Sequence, residues 1–369
     1  MTEEDMNKEQ QEPELPVIDD TEDDDVVAPV HYEITSFGAD YDAEGLVKRL
    51  QRDDIFIPPF QRDYVWTQKE ASRFIESLLL GLPVPGVFLA RESESKKLLV
   101  IDGQQRLKTL RFFFEKTFDP DPDPDAKTQR VFKLTGVQSQ LEGLTYDTLE
   151  EGDRIVLNDS IIHATIVKQE SPEGDQSSVY HIFERLNTSG RKLSPQQIRV
   201  AIYHGTFIDM IRELNGFVSW REIFGRRSRA LKDQELIVRF LALLYDRGNY
   251  KRPMNEFLND FTGKAIRTGT PSLDECKSIF TKTITKAQEA LGNKAFRPER
   301  ALNAAVFDSV MVGLATRLQD NDQISPTQLR AAYDRLLALP RYSELVSRAT
   351  ADEKNIMDRI ALSSKEFGM

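Results

Sequence analysis

The pattern of hydrophobic and polar positions divides the chain into two halves with different periodicity. In the first half, short apolar runs such as residues 55–57 and 98–101 are bounded by turn residues, which is typical of strands. From Phe207 onward, apolar residues recur at spacings of three and four, which predicts helices almost throughout. The pattern therefore predicts an α+β fold, with an α/β domain at residues 31–205 and an all-α helical domain at residues 206–369.

Seven segments of the first half have the composition of strands. They are residues 31–36, 55–57, 87–90, 98–101, 131–134, 154–157 and 161–168. The last segment alternates poorly at Ile162, Ala164 and Ile166, so we expect it to be buried on both faces. Helices are predicted over residues 45–50, after the capping box that begins at Thr67, and after the strand at 98–101.

The stretch from Leu98 to Leu110 carries the strongest functional signal. An apolar run is followed by Asp102 and Gly103, and then by leucines at helical spacing, which predicts a strand, a tight turn and a helix start. The first N–H groups of such a helix are unpaired, and the helix dipole adds partial positive charge, so a phosphate would bind there.

Polar side chains surround this predicted turn. We interpret Asp102 as a group that activates water or holds a divalent ion, and Arg106 as neutralising phosphate charge. The amides of Gln104 and Gln105 would position water or a base. Gly103 and Thr109 complete the expected phosphate-binding residues. The alternative is that Asp102 only caps the helix while Arg106 is solvated, although a cap alone does not explain the Gln-Gln-Arg sequence.

A second group of polar and aromatic residues lies at residues 60–66. Gln61 and Arg62 are expected to contact phosphate, with Arg62 in a catalytic role. Tyr64 and Trp66 would stack on a base or sugar, or would instead pack beneath the following helix; the sequence leaves both interpretations open.

Two further basic groups are candidates for contact with DNA. In the first, two predicted helices meet at a polar turn near residues 187–194, with Arg185, Asn187 and Arg199 around it. In the second, Arg226, Arg227 and Arg229 belong to a basic loop that precedes a strongly apolar helix. For both groups, a solvated charged surface is the competing interpretation.

The net charge of −11 is a property of the first 30 residues alone. That segment contains twelve of the 60 acidic residues and one of the 49 basic residues, so the remaining chain has 48 of each and is neutral. Such an acidic segment with few aromatics cannot bury enough apolar surface to fold, and we expect residues 1–30 to be disordered. An autoinhibitory role as a DNA mimic is the alternative to plain solvation.

Cysteine and histidine usage limits the chemistry further. A single cysteine, Cys276, excludes an internal disulfide framework and favours a reducing cytoplasm. The four histidines are scattered without ligand-like spacing, so we expect no metal site built from Cys and His. The sequence lacks an apolar run long enough to span a bilayer and a basic, apolar leader, so we expect neither membrane contact nor secretion.

Three motifs in this order resemble a known family. They are Gln61-Arg62 with Tyr64 and Trp66, Ile101 to Arg106, and Phe183 to Asn187 followed by Gly190 and Leu193. Over about residues 40–205 they resemble the domain-of-unknown-function family 262, which is found at the N-terminus of GmrSD-type modification-dependent restriction proteins and is related to the ParB/sulfiredoxin fold.

The resemblance implies a domain that binds, and in some members hydrolyses, a nucleoside triphosphate. Together with the interpretation of Asp102 given above, this makes Mg²⁺ a candidate cofactor. It also implies action on foreign or modified DNA, including phage DNA, in bacterial defence. Asp102 to Arg106 match the signature loop of the family, and Gln61 and Arg62 would form its facing wall.

The sequence departs from the GmrSD pattern in one respect. GmrSD-type proteins carry a downstream His-Asn-His nuclease domain, but no histidine follows His204 in this chain. The helical half therefore lacks the general base of such a nuclease, and DNA cleavage would come from the α/β domain or from a partner nuclease.

Three functional hypotheses follow. The leading one is a nucleotide-dependent hydrolase that acts on DNA in a restriction system. The second is a nucleotide-independent DNA enzyme, either a nuclease or a glycosylase that removes a modified base. The third is a non-catalytic DNA- or nucleotide-binding adaptor. A homo-oligomer is compatible with each of them.

Overall fold

The computed structural model describes residues 17–18, 33–57, 64–92, 96–118, 130–171, 180, 182, 193–203, 205–320 and 324–368. The chain forms two compact units, one of Val30–Leu193 and one that combines Met1–Pro29 with Ser194–Met369. The boundary precedes Ser194, whereas the sequence predicted it between residues 205 and 206. The reason is that the helix after Ser194 is hydrogen-bonded to other helices of the second unit, for example through Arg199 and Asn259.

The first described element is a strand of two residues, β1 (Val17–Ile18), which pairs in parallel with Leu302 and Asn303 of the helical unit. Residues 1–30 were predicted to be disordered, and at these two positions that prediction is wrong. Val17 and Ile18 are an apolar, β-branched pair within an otherwise acidic segment, which is the composition that favours pairing with another strand.

The α/β unit contains five strands and four α-helices among its described residues. In chain order these are β2 (Glu33–Asp42), α1 (Ala43–Gln51), β3 (Ile55–Phe56), α2 (Gln68–Leu79), β4 (Val87–Arg91), β5 (Leu98–Asp102), α3 (Gln104–Phe114), α4 (Glu151–Asp159) and β6 (Ile161–Ser171). The strands form one mixed sheet in the order β2-β6-β4-β5-β3. The β2–β6 and β4–β5 pairs are antiparallel, and the β4–β6 and β3–β5 pairs are parallel.

One face of this sheet is buried against the helices. Val87, Leu89, Val100, Ile162 and Ala164 from three neighbouring strands belong to the same apolar cluster as residues of the helices. Burial of this face is the main favourable contribution to folding of the unit. It also fixes the register at the start of β6, because a slip of one residue would turn Ile162 and Ala164 toward solvent. In β5, by contrast, Leu98 to Ile101 are buried on both faces.

Two predicted strands of this unit are wrong. Residues 154–157 lie inside the helix α4, where Leu157 is buried while Ile155 and Val156 are exposed. Their β-branched side chains indicated a strand, but the helix buries Leu157 in the apolar cluster of the sheet. Residues 131–134 form only an isolated bridge, from Val131 to Thr117.

The strand β6 differs from its prediction in another way. Ile162, Ala164 and Ile166 are buried, whereas Ile161 and His163 are exposed. The first half of the strand therefore alternates between core and solvent instead of being buried on both faces.

The second unit is almost entirely helical over its described residues. Its helices are α5 (Pro195–Ile202), α6 (Thr206–Asn215), α7 (Val218–Phe224), α8 (Lys232–Asp246), α9 (Met254–Thr268), α10 (Leu273–Leu291), α11 (Ala304–Asp320), α12 (Pro326–Ala338), α13 (Pro340–Leu345) and α14 (Glu353–Gly368). The strand β7 (Leu302–Asn303) precedes α11 and pairs with β1. Helices α8 and α11 are buried along most of their length.

The predicted fold class is confirmed, since a mixed α/β region is followed by a mostly helical one. The likeness to ParB and sulfiredoxin folds stays a prediction. Across the part of the chain that the structure describes, no helix combines the length and apolar character needed to cross a bilayer.

Candidate functional site

The predicted strand, turn and helix start are present at residues 98–114. Strand β5 ends at Asp102 and helix α3 begins at Gln104, so Gly103 is the N-cap residue. Gly103 has a φ of 100°, and as a glycine it offers no side chain to cap the helix. Asp102 is therefore not the N-cap, and the alternative that its only role is to cap the helix is wrong. Among the hydrogen bonds of the described residues, none joins a side-chain acceptor to the first N–H groups of α3, as an anion site requires.

Asp102 and Arg106 form an ion pair on this turn. The Nη2 atom of Arg106 donates to Oδ2 of Asp102 over 2.9 Å. The Arg106 side chain is only 13% exposed, whereas the Asp102 side chain is 50% exposed. The guanidinium is thus fixed in place, and a carboxylate oxygen remains accessible to a ligand.

Gly103 is required by its surroundings as well as by its backbone conformation. A Cβ atom at this position would lie 2.5 Å from Cγ1 of Val87 and 3.3 Å from Nη2 of Arg106. A larger residue would therefore push the turn away from β4 and disturb the ion pair. The glycine brings the backbone of the turn close to the sheet.

The two glutamines have different roles. Oε1 of Gln105 accepts hydrogen bonds from the backbone N–H groups of Val65 and Trp66, over 3.1 and 3.4 Å. This amide therefore fastens the segment that follows residue 63 to helix α3. Its Nε2 atom and Oε1 of Gln104 are both buried and have no hydrogen-bond partner among the described residues. One unused donor and one unused acceptor thus lie at the start of α3, where a polar ligand could satisfy them.

Tyr64 and Thr109 lie in the core, so their predicted contacts with a ligand are wrong. The Tyr64 hydroxyl and Oγ1 of Thr109 are 2.6 Å apart, and Thr109 also donates to the carbonyl of Gln105. The Tyr64 ring packs edge-on against Phe112 and Phe118, and burial raises the pKa of Tyr64 to about 12. Neither side chain has a free face or a free hydroxyl for base stacking or phosphate binding.

Trp66 is partly buried, with its ring centroid 5.7 Å from that of Phe74 on α2. This contact agrees with packing beneath the following helix, which is one of the two interpretations that the sequence left open for Trp66. Gln61, Arg62, Arg185 and Asn187 lie outside the described residues, and their predicted roles stay predictions.

Arg199 is a structural residue of the helical unit. It is completely buried, and its Nε atom donates to Oδ1 of Asn259 over 2.9 Å. It also donates to the side chain of Gln196 and has Glu235 as an ionic partner at 3.7 Å. The predicted contact of Arg199 with DNA is wrong, because this guanidinium is used to join α5 to α8 and α9.

The second basic group remains at the surface. Arg226, Arg227 and Arg229 are all exposed in the segment between α7 and α8. Their neighbour Arg221 is less exposed, and its guanidinium is paired with the fully buried Asp233 over 3.0 Å. The three exposed arginines are therefore the part of this cluster that could contact a large anion.

The structure adds one pair that the sequence did not indicate. Nδ1 of His163 on β6 is 2.8 Å from Oδ1 of Asp40 on β2, and both side chains are exposed. The two residues are 123 positions apart. Sequence reasoning set His163 aside because spacing along the chain cannot reveal a partner so distant.

No three potential metal ligands among His, Cys, Asp and Glu converge within the described ranges. At the turn itself, Asp102 is a half-exposed carboxylate, which is a ligand type that Mg²⁺ accepts.

Comparison with known protein families gives a match over part of the chain. Residues 44–204 match the family described as the N-terminal domain of the GmrSD restriction endonuclease. This stretch is therefore similar to the N-terminal domain of GmrSD-type restriction proteins, and it contains the whole turn at residues 102–106.

The chain is also similar to an uncharacterized protein of Methanocaldococcus jannaschii. The two sequences are 30% identical over 89 residues, in a match that covers 18% of this chain and 15% of the relative. The similarity thus concerns a small part of both proteins, and nothing about the activity of the whole chain follows from it.

Proposed function

We propose that the α/β unit binds a nucleoside triphosphate at the turn Asp102–Arg106 and hydrolyses it, and that this reaction is coupled to action on foreign or modified DNA. The observation that carries the proposal is the amino end of α3, which begins at a left-handed glycine and receives no side-chain cap from the described residues. A phosphate would accept hydrogen bonds from its free backbone N–H groups.

The charged groups at the turn fit the same chemistry. Arg106 is held beside this helix end by its ion pair with Asp102, and its positive charge would stabilise the charge that develops on a transferred phosphoryl group. The exposed oxygen of Asp102 would orient the attacking water or contact a Mg²⁺ ion bound to the phosphates. The unused amide atoms of Gln104 and Gln105 would hydrogen-bond the ligand.

The match to a restriction endonuclease domain supports DNA as the macromolecule on which the protein acts. The exposed arginines 226, 227 and 229 are the proposed site of contact with its phosphates. Cleavage by a separate nuclease partner remains part of the proposal, since the helical half lacks the histidine of a His-Asn-His domain.

One argument for the glycosylase hypothesis, the presence of an exposed aromatic surface, does not apply to Tyr64. It required an aromatic wall on which a flipped base stacks, but Tyr64 is 7% exposed and contacts two phenylalanines. The non-catalytic adaptor hypothesis differs from the main proposal only in that the bound triphosphate is not hydrolysed. A hydrolysis assay separates the two.

The test is phosphate release from each of the four ribonucleoside triphosphates, with and without modified DNA. We expect release by the wild-type protein and a loss of at least about a hundredfold in Asp102→Asn, the usual scale for a group that acts on the reacting water. Asp147→Asn is the matched control, because the Asp147 side chain is about as exposed as that of Asp102 and forms an ion pair with Lys116 elsewhere in the unit.

The result has three informative outcomes. Release that persists in Asp102→Asn would contradict the assigned role of the turn. Binding of the triphosphate without turnover would favour the adaptor. Nicks or abasic sites in modified DNA without any triphosphate would favour the nucleotide-independent enzyme.

A further inference from the structure

We propose that Arg227 binds a backbone phosphate of DNA, and that Gln197 on α5 positions the loop that presents this arginine. The inference rests on the proposed function, because it takes the exposed arginines between α7 and α8 as the DNA contact. It goes further in assigning the phosphate contact to one arginine. It also gives the loop no role in distinguishing modified from plain DNA.

The backbone of this loop, residues 225–231, is fixed on both sides of Arg227. On the first side, the N–H group of Gly225 donates to the carbonyl of Arg221 over 2.8 Å. On the second side, Ser228 is buried and its N–H group donates to Oδ2 of Asp233 over 3.3 Å. The loop therefore holds a defined conformation at the point where it exposes Arg227.

Helix α5 holds the far end of the loop. Nε2 of Gln197 donates to the carbonyl of Arg229 over 2.9 Å, and Oγ of Ser194 donates to the carbonyl of Ala230 over 2.5 Å. Both bonds reach the loop backbone and leave its side chains available. A loop that is ordered in advance loses little conformational entropy when a ligand binds.

A buried network centred on Asp233 supports the same loop. Besides the N–H group of Ser228, Oδ2 of Asp233 accepts from Nδ2 of Asn215 and from Nη1 of Arg221, both over 3.0 Å. Nη2 of Arg221 also donates to Oδ1 of Asn215 over 2.9 Å. The charges of Arg221 and Asp233 therefore balance each other inside this network.

Arg227 is an additional positive charge beside that balanced pair. It is exposed and makes no hydrogen bond or ion pair with any residue that the structure describes. Its Nη2 atom lies 3.7 Å from the position of a Cβ on Gly216, at the end of α6. The pKa of Arg221 is lowered, mainly by burial, and the charge of Arg227 contributes to this shift although Asp233 opposes it. An anion bound to Arg227 would relieve the repulsion between the two guanidinium groups.

The other two exposed arginines differ from Arg227. Arg226 and Arg229 each already take part in an interaction within the chain, with which a ligand would have to compete. The rest of the loop has no amide or carboxylate side chain, and the hydroxyl-bearing Ser228 is buried. Guanidinium groups pair with phosphate, which carries no base identity, so the loop would contribute equally to binding of any DNA.

The competing interpretation is a solvated arginine that attracts DNA only through its contribution to the net charge. In that case any other exposed arginine of the unit would have the same effect. Arg330 on α12 is the matched control, because its side chain is 53% exposed and is paired with Asp334.

The experiment measures binding of the full chain to one duplex, prepared with cytosine and with 5-methylcytosine, over a range of salt concentrations. We expect Arg227→Ala to weaken binding of both duplexes by the same factor, at least about fivefold, and to reduce the slope of log affinity against log salt by about 0.9. Arg227→Lys should keep the slope, since the charge remains. Arg330→Ala should change neither quantity.

Gln197→Met tests the positioning of the loop without a change of charge. The variant loses the bond to the carbonyl of Arg229 but retains Arg227. We expect weaker binding with an unchanged salt slope, because the phosphate contact persists while the loop must be ordered on binding. A melting temperature close to that of the wild type would show that the helical unit is folded.

The failures can be distinguished from one another. If reversal of all three exposed arginines weakens binding while Arg227→Ala behaves like Arg330→Ala, the inference fails and the proposed DNA contact stands. A loss confined to the methylated duplex would overturn the independence from base identity. A reduced slope in Gln197→Met would contradict its positioning role. If the wild-type protein binds neither duplex, the proposed DNA contact fails together with the inference.

Discussion

Gly103 is the residue on which the candidate site depends most. Its backbone conformation lies in the left-handed region, and a methyl group would meet the Val87 side chain. We therefore expect Gly103→Ala to lower the free energy of unfolding by about 1–3 kcal/mol. Urea denaturation measures this change.

The matched control is Gly152→Ala in helix α4. Gly152 has open space around its Cβ direction and a helical backbone, so alanine should be neutral or stabilise by up to about 1 kcal/mol. Equal effects of the two substitutions would contradict the account of the turn.

Local signals allowed these residues to be found. The turn at 102–106 is contiguous in sequence, so its strand end, glycine and polar side chains could be recognised together. Tyr64 and Thr109 could not be placed in the same way, because their hydrogen bond joins residues 45 positions apart. An aromatic beside polar residues has the same sequence pattern whether it binds a ligand or packs in the core.

At the scale of elements, Gln105 connects helix α3 to the segment that precedes α2. Its amide oxygen accepts from the N–H groups of Val65 and Trp66. We expect Gln105→Met to accelerate hydrogen exchange at these two amides, since methionine fills a similar volume but provides no oxygen acceptor. Amide exchange followed by NMR measures the effect.

Gln104→Met is the control for this prediction, because Gln104 does not accept from either amide among the described contacts. Unchanged exchange in Gln105→Met, or equal acceleration in both variants, would show that Gln105 does not hold the segment. The result matters for function, since this segment follows directly after the predicted phosphate-binding residues Gln61 and Arg62.

Elements with a strong local pattern were predicted well. The capping box at Thr67 starts α2, and the two apolar runs around residue 93 form the antiparallel strands β4 and β5. Helix α4 was missed because Ile155 and Val156 favour strands, and the burial of Leu157 that stabilises the helix is a tertiary effect. The order of the five strands could not be predicted, since it depends on pairing between distant segments.

At the scale of the whole molecule, the division of charge determines how the protein would bind DNA. The chain beyond residue 30 is neutral, so binding relies on local clusters such as Arg226, Arg227 and Arg229. We expect reversal of these three arginines to glutamate to weaken DNA binding and to reduce the slope of log affinity against log salt by about 0.9 for each lost phosphate contact.

Binding measured over a range of salt concentrations tests this expectation. The control is reversal of Arg330, Arg335 and Arg341, which are half exposed on helices α12 and α13 of the same unit. If the slope changes equally in both triple variants, the effect is one of net charge. An unchanged slope in the first variant would exclude the cluster as a DNA contact.

Binding of a triphosphate at the amino end of α3 can be followed by backbone amide NMR with added nucleotide. We expect the largest shift changes at Gly103, Gln104 and Gln105, and we expect Asp102→Asn and Gly103→Ala to reduce them. Shift changes confined to the helical unit, with the amides of 103–105 unaffected, would contradict it.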